Sequence, residues 1–334
     1  MPILGQDYEP YRGPIRRRTF AALPIAGVAI RRNLRWWTWA LLVLGLIAGS
    51  AAAYFVVFLV YGVAVLFPGS RGGANPMLLA IVDRPAFYLD MLMYNQVFWA
   101  LALGTVVGAG EIAEDVRSGA LVFYLGRPVT RADYVLGKVV AVSTAVLAVT
   151  LVPALVLFTI HALFVGTWDW VGAHWRIVPA ATGLAALECV FVSTLVLGVS
   201  ALVKRRRWAT VAVAGVYFSL FIAAAIFAPS RDWQGGREQW KLNQQIEEAK
   251  TKEEADALYD RYNDSYDPLG SLSKHAGLRF LSPTASFHAA GRDLFGIRLP
   301  GNFSHGRHWM FLLGSSALLL WVLWLRVRAV EVVT

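Results

Sequence analysis

A single cysteine, Cys189, stands among 334 residues. One thiol builds neither an intramolecular disulfide framework nor a cysteine-rich metal site. Because Cys189 lies inside an apolar stretch, it reads as a small packing residue. Histidine is also sparse: His161, His174, His275, His288, His305 and His308. His305 and His308 are three apart, but that pair supplies too few ligands for a metal centre, and no metal is expected. Neither H-E-x-x-H nor G-x-S-x-G occurs, so the usual metalloprotease and serine-hydrolase arrangements are excluded. No G-x-x-x-x-G-K-[ST] occurs either. Gly137-Lys138 does not qualify, because the upstream glycine spacing is wrong and Val139 follows the lysine. The chain therefore brings no phosphate-binding loop of its own. Charged residues make up only 16%, against about 25% in soluble domains.

What fills the chain instead is apolar. Hydrophobic residues reach 57% and the mean hydropathy is +0.52. A spanning helix needs roughly 20 apolar residues, and several stretches meet that length. The expected fold class is an all-α polytopic membrane protein with six transmembrane helices. They are placed at Trp37–Phe67, Met91–Gly110, Tyr134–Val165, Pro179–Val203, Trp208–Ala228 and His308–Leu325. The first exceeds one bilayer thickness and must tilt or project. In a soluble protein a net charge of +9 would suggest nucleic acid. Here the basic clusters flank apolar runs, which marks cytoplasmic helix ends, and no nucleic-acid partner is expected.

The organisation follows from these runs. Residues 1–36 form an N-terminal cytoplasmic part. Within it "RRRTF" (Arg16–Phe20) resembles a twin-arginine export signal. The apolar run behind it is short and closed by Arg31 and Arg32, and no A-x-A site follows, so a cleaved signal is not expected. An interfacial helix over Pro24–Trp37 is expected instead. Ala26, Ile30, Leu34 and Trp37 lie on one face, with Arg31, Arg32 and Arg35 opposite. Spans one to five fill 37–228, residues 229–307 lie outside, and 308–334 hold span six and a cytoplasmic tail. Arg12, Arg16–Arg18, Lys204–Arg207, Arg326 and Arg328 gather on the inner side, so both termini are expected in the cytoplasm of a bacterial inner (cytoplasmic) membrane. Trp168, Trp170 and Trp175 in a short outer loop read as an interfacial belt. In the outer segment, Arg237–Asp267 is expected to make one or two amphipathic helices. Ser282-Pro283 opens a further short helix.

One block interrupts the apolar pattern, from Glu111 to Lys138. Glu111, Glu114 and Asp115 close span two, and Ser118-Gly119 allows a change of direction. "ALVFYL" (Ala120–Leu125) is a short apolar helix with no room to span, ended by Gly126-Arg127-Pro128. "TRAD" (Thr130–Asp133) reads as a capping box with Asp in place of Glu. Two readings stand side by side. The block is an ordinary interfacial loop with charges at the water line, or its charges make directional contacts that transmit force.

The order of these motifs resembles the permeases of the ABC-2 family, the membrane subunits of many bacterial ABC exporters. The resemblance rests on Glu111 and Glu114, "SGAL" (Ser118–Leu121), "RPVTR" (Arg127–Arg131) and "YVLGK" (Tyr134–Lys138). It implies that the block at about 111–133 holds a cytoplasmic coupling helix between spans two and three, docking on a separate ABC ATPase subunit. Leu121, Phe123 and Tyr124 would then belong to the docking surface. Glu111, Glu114, Asp115, Arg117, Arg127 and Arg131 would set its angle. The resemblance also implies ATP and Mg on the partner, no cofactor on this chain, membrane lipids around it, and a second copy or a related permease beside it.

Glu188, near the middle of span four, is costly there and turns inward. It serves either a translocation path or a packing network. Asn95 and Gln96 line the same path or act as helix glue. Three functions compete: an exporter permease; an ATPase-driven mechanotransmission scaffold acting through 229–307 on a periplasmic or surface partner; and an intramembrane enzyme using Glu188 and His161.

Overall fold

The computed structural model describes residues 22–33, 36–48, 51–62, 82–120, 129–203, 205–227, 245, 257–258, 279–297 and 305–327, and among them no strand occurs. The chain enters through α1 (Ala22–Asn33), α2 (Trp36–Ala48) and α3 (Ala51–Val57), which runs into a π-helical turn at Phe58–Gly62. There follow α4 (Pro85–Gly108), α5 (Glu111–Arg117), the long α6 (Arg131–Val165), the short α7 (Trp168–His174) and α8 (Ile177–Leu202). Then come α9 (Arg206–Phe227), a 3-10 turn at Arg279–Leu281, α10 (Pro283–Phe295) and α11 (His305–Arg326).

Among the described residues four helical stretches are long and apolar enough to cross a membrane: Val97–Arg117, Arg131–Val165, Ile177–Leu202 and Gly306–Arg326. The second expected span begins earlier than Met91, at Pro85, because proline needs no amide partner at the first helical position. The first expected span falls on α2, α3 and the π-turn, and its last residues, 63–67, lie outside the described residues. The fifth falls on the 22 residues of α9.

The stretch α8 is the central post, with α4, α6, α10 and α11 packed around it. Its run Phe191–Ser200 is buried on every side, as expected of a helix apolar all round. In lipid, helices associate through close packing at small residues, and α4 supplies Gly104 and Gly108 for this. A Cβ at Gly108 would stand 2.7 Å from Val196 Cγ1 and 2.9 Å from Val142 Cγ2. At Gly104 it would stand 2.7 Å from Val192 Cγ1. Four-residue spacing puts both glycines on one face, so α4 lies flush against α8 and α6.

Two segments sit differently from their sequence expectation. The buried face of α1 is Ile25, Ala26, Ala29 and Asn33, and it packs along α6 rather than lying only in the headgroup layer. Gly137 on α6 makes room, since a Cβ there would stand 2.8 Å from both the Ala22 carbonyl and Ile25 Cβ. Arg31 faces out, but Arg32 reaches back into the protein. Leu34, Arg35 and the side chain of Trp37 lie outside the described residues. The second case is α10. Ser282 caps it by accepting from the Ala285 amide, with Pro283 at its start, as the sequence suggests. Although 229–307 were expected to lie outside the spans, this helix is not free of them: Ala285, Phe287, His288, Ala290 and Arg292 are all buried against the bundle. The expected amphipathic helices of Arg237–Asp267 lie outside the described residues, apart from helical positions at 245 and 257–258.

Candidate functional site

The charges at the end of span two do not sit at a water line. Glu111 and Asp115 lie four apart on α5, which directs both carboxylates to one face, and they are only 2% and 3% exposed. From α6, Tyr134 and Lys138, also four apart, meet them. Lys138 Nζ donates to Glu111 Oε2 at 2.5 Å and pairs with Asp115 Oδ2 at 2.7 Å. The Tyr134 hydroxyl donates to the same Asp115 Oδ2 at 2.8 Å. From α1, Arg32 pairs with Glu111 Oε1 at 2.6 Å and with Asp115 Oδ1 at 3.4 Å. Asn33 donates to Glu111 Oε1 at 2.6 Å and to the Ala29 carbonyl at 3.1 Å. Each carboxylate is therefore shared between the same two cations, and the cluster is neutral.

The local structure explains why these groups meet. Ala109-Gly110 separates α4 from α5, and Ser200 of α8 bridges the break. Its hydroxyl donates to the Ala109 carbonyl at 2.8 Å and accepts from the Ala113 amide at 3.2 Å. Thr130 and Asp133 form the capping box at the start of α6, with Thr130 Oγ1 accepting from the Asp133 amide at 3.1 Å and Asp133 Oδ2 accepting from the Thr130 amide at 3.1 Å. Just past the end of α5, Gly119 has a φ of +69°, which favours glycine. Charges buried at 1–3% exposure survive only when paired and hydrogen-bonded, and this cluster provides both. Burial works against the charge on Arg32, but its contacts with Glu111 and Asp115 outweigh that and raise its pKa further. The result is a three-helix clasp binding α1, α5 and α6 at one end of the bundle.

Other residues singled out in the sequence fall elsewhere. Glu114, Arg117 and Arg131 are exposed and stay out of the clasp. Leu121, Phe123, Tyr124 and Arg127 lie outside the described residues. Asn95 and Gln96 sit within α4, and their side chains lie outside them as well. Glu188 is 1% exposed, and neither carboxyl oxygen has a hydrogen-bond partner among the described residues. It does not meet His161. That ring is buried near the far end of α6, with the Tyr88 hydroxyl 2.5 Å from Nδ1 and Asp83 Oδ1 3.1 Å from Nε2, at an angle poor for a hydrogen bond.

Around His161 lies a second polar cluster. Asp83 Oδ1 accepts from the Tyr61 hydroxyl at 2.7 Å and from Trp170 Nε1 at 3.0 Å. Trp170 is therefore buried, unlike Trp168 and Trp175, which are exposed as a belt requires. Its indole N–H has found a carboxylate, which an interfacial position would not supply. Burial pushes the Asp83 pKa up, but the close approach of His161 and the hydrogen bonds from Tyr61 and Trp170 pull harder and hold it below its ordinary value.

Four clasp members, Arg32, Asn33, Tyr134 and Lys138, were not assigned a site role by the sequence. The readable signal was the pair of four-residue spacings, Glu111–Asp115 and Tyr134–Lys138, on two helices that follow one another in the chain. Nothing local announces Arg32 and Asn33, which join from a distant stretch.

Four apolar stretches long enough to cross a membrane, packed around a central post, define a multi-pass membrane protein. Residues 29–328 match the family model described as ABC-2 family transporter protein, and the chain belongs to that family. It is a membrane permease component of an ABC transporter and is not itself the ATPase. Membership implies a partnering ABC ATPase subunit. No curated protein matches the chain.

Proposed function

We propose that this chain is the permease of an ABC exporter in a bacterial inner membrane, driven by a separate ATPase that docks on the block at 111–133. ATP and Mg sit on that partner, and a second permease copy or a related chain completes the membrane part. Six spans with both termini cytoplasmic put the block, α1 and the arginines of 205–207 on the ATPase side. The clasp is the observation that carries this reading. A push on the block between α5 and α6 meets two helix ends already fastened to each other and to α1. They move together, and the motion reaches α8 through Ser200. A loop without the clasp would absorb the same push locally. Glu188, Asn95 and Gln96 remain candidates for the translocation path.

The docking surface is tested by purifying the chain with its ATPase and replacing Phe123 and Tyr124 with aspartate. ATPase association should be lost while the permease stays folded. Unchanged association refutes the assignment.

One observation favours a second reading, mechanotransmission through 229–307 to a periplasmic partner. Within that segment α10 is seated against α4 and α8, so motion of the bundle reaches it directly. Deleting 237–267 separates the two readings: an exporter keeps solute transport, whereas a scaffold loses its partner and retains basal ATPase activity.

A further inference from the structure

Beside the clasp, at the same end of the bundle, is a groove of about 600 Å³. Its rim is basic: Arg117 at the end of α5, then Arg205, Arg206 and Arg207 around the start of α9, against the single carboxylate of Glu114. Arg206 is already committed. It donates to the Val106 carbonyl at 3.0 Å, and its stem crosses Gly110, where a Cβ would stand 2.6 Å from Arg206 Cδ. Arg117, Arg205 and Arg207 are exposed, and among the described residues no ion pair holds them.

The remaining wall is apolar. Trp208 is 63% exposed and Val211 61% exposed, three apart on α9. Helical rise puts Val211 about 9 Å along the helix from Arg205. That is close to the depth at which headgroups give way to acyl chains, roughly 5–10 Å. A complementary ligand carries negative charge at one end and hydrocarbon at the other, over that distance. A free anion leaves the exposed indole unused. An acidic protein surface leaves unused an apolar wall that continues along α9, the fifth span of the proposed topology.

We infer that this groove binds the phosphate headgroup of an anionic phospholipid from the surrounding bilayer, with its acyl chains along Trp208 and Val211. The site lies next to the block assigned to the ATPase, yet its occupant is recognised by charge and depth alone, independently of that assignment.

The test titrates the purified full-length chain with cardiolipin, phosphatidylglycerol and phosphatidylcholine, read by native mass spectrometry. Both anionic lipids should bind and phosphatidylcholine should not compete. Each basic side chain at a membrane surface contributes roughly fivefold, so the triple variant R117Q/R205Q/R207Q should bind cardiolipin about 100-fold more weakly. R117K/R205K/R207K should retain most of the binding. Trp208→Ala should weaken anionic lipids without changing the salt dependence. Three results overturn the inference: unchanged cardiolipin binding by the glutamine variant, displacement of cardiolipin by equimolar inorganic phosphate, or loss of ATPase association in that variant with lipid binding intact.

Discussion

Replacing Lys138 with methionine removes the buried one of the two cations that the clasp carboxylates share and leaves a side chain of similar length. The site stays closed, since the Lys138, Glu111 and Asp115 side chains are 2%, 3% and 4% exposed. Removing one partner of a buried ion pair costs about 3–5 kcal/mol, because the other charge is stranded. The two carboxylates are not stranded equally. Glu111 keeps Arg32 at 2.6 Å and Asn33 at 2.6 Å. Asp115 keeps the Tyr134 hydroxyl at 2.8 Å and only a 3.4 Å approach from Arg32. Most of the loss therefore falls on Asp115. Adding Asp115→Asn to Lys138→Met should recover about 1–3 kcal/mol, the penalty of a buried unsatisfied group. Adding Glu111→Gln should recover less. Arg32, itself 44% exposed, should cost less than Lys138 when changed to glutamine, because its own charge is partly solvated and Lys138 still pairs with both carboxylates. Unfolding by SDS titration of mixed micelles, followed by tryptophan fluorescence, gives all four numbers. A Lys138→Met variant within about 0.5 kcal/mol of the parent would refute the geometry, as would equal recovery from the two second-site changes.

Other positions answer to single measurements. Gly108→Ala gains about 1 kcal/mol of helix propensity but forces Val196 and Val142 aside, an overpacking cost of about 1–3 kcal/mol. Net destabilisation is expected in the same titration, and a more stable variant would show that α4 does not lie flush on α8. Glu188→Gln keeps the shape and removes no ion pair seen among the described residues, so stability should hold or rise. A loss of about 3 kcal/mol would reveal a cation partner. If substrate transport also survives Glu188→Gln, the residue leaves the translocation path. Asp83 has a depressed pKa, so its contribution is complete above the ordinary carboxylate range near pH 4 and is lost as pH falls through the lower folded value. The stability gap between the parent and Asp83→Asn should be flat above that range and close below it. A gap that closes between pH 6 and 8 instead would assign the titration to another group.

Long apolar runs made the helices α4, α6, α8 and α11 legible, because twenty residues without charge have few other uses. The caps Thr130–Asp133 and Ser282–Pro283 were legible for a local reason: a hydroxyl, a fixed proline φ and a three-residue spacing specify a helix start without reference to the rest of the chain. The seat of α10 was not. Its run from Ala285 to Arg292 mixes alanine and Phe287 with His288 and Arg292, and by composition belongs in water. Its neighbours, Leu89 and Leu184 beside Gly291, decide otherwise. Trp170 misled for a similar reason. An aromatic in an outer loop suits an interface, until a carboxylate 87 positions away accepts its N–H. The Gly104–Gly108 spacing was readable as a close-packing face and was passed over among so many apolar residues.

The clasp divides along the same line. Its acidic half was visible in sequence as charge where lipid was expected, and the sequence left open whether those charges lie at a water line or make directional contacts. Helices α5 and α6 each carry a face of four-spaced polar groups, and in the packing these two faces confront one another. Once they do, two carboxylates and one lysine leave an excess negative charge in a closed site. A second cation must come from some other element, and α1 supplies it. Stability does not require this arrangement, because a buried ion cluster can often be exchanged for apolar packing at little or no cost. What apolar packing lacks is register: it lets helix ends slide, whereas shared carboxylates hold α1, α5 and α6 at one spacing. A Lys138→Met/Asp115→Asn pair that regains fold stability but leaves ATP hydrolysis uncoupled from transport would separate these two roles. Full coupling in that pair would mean that the clasp serves packing alone.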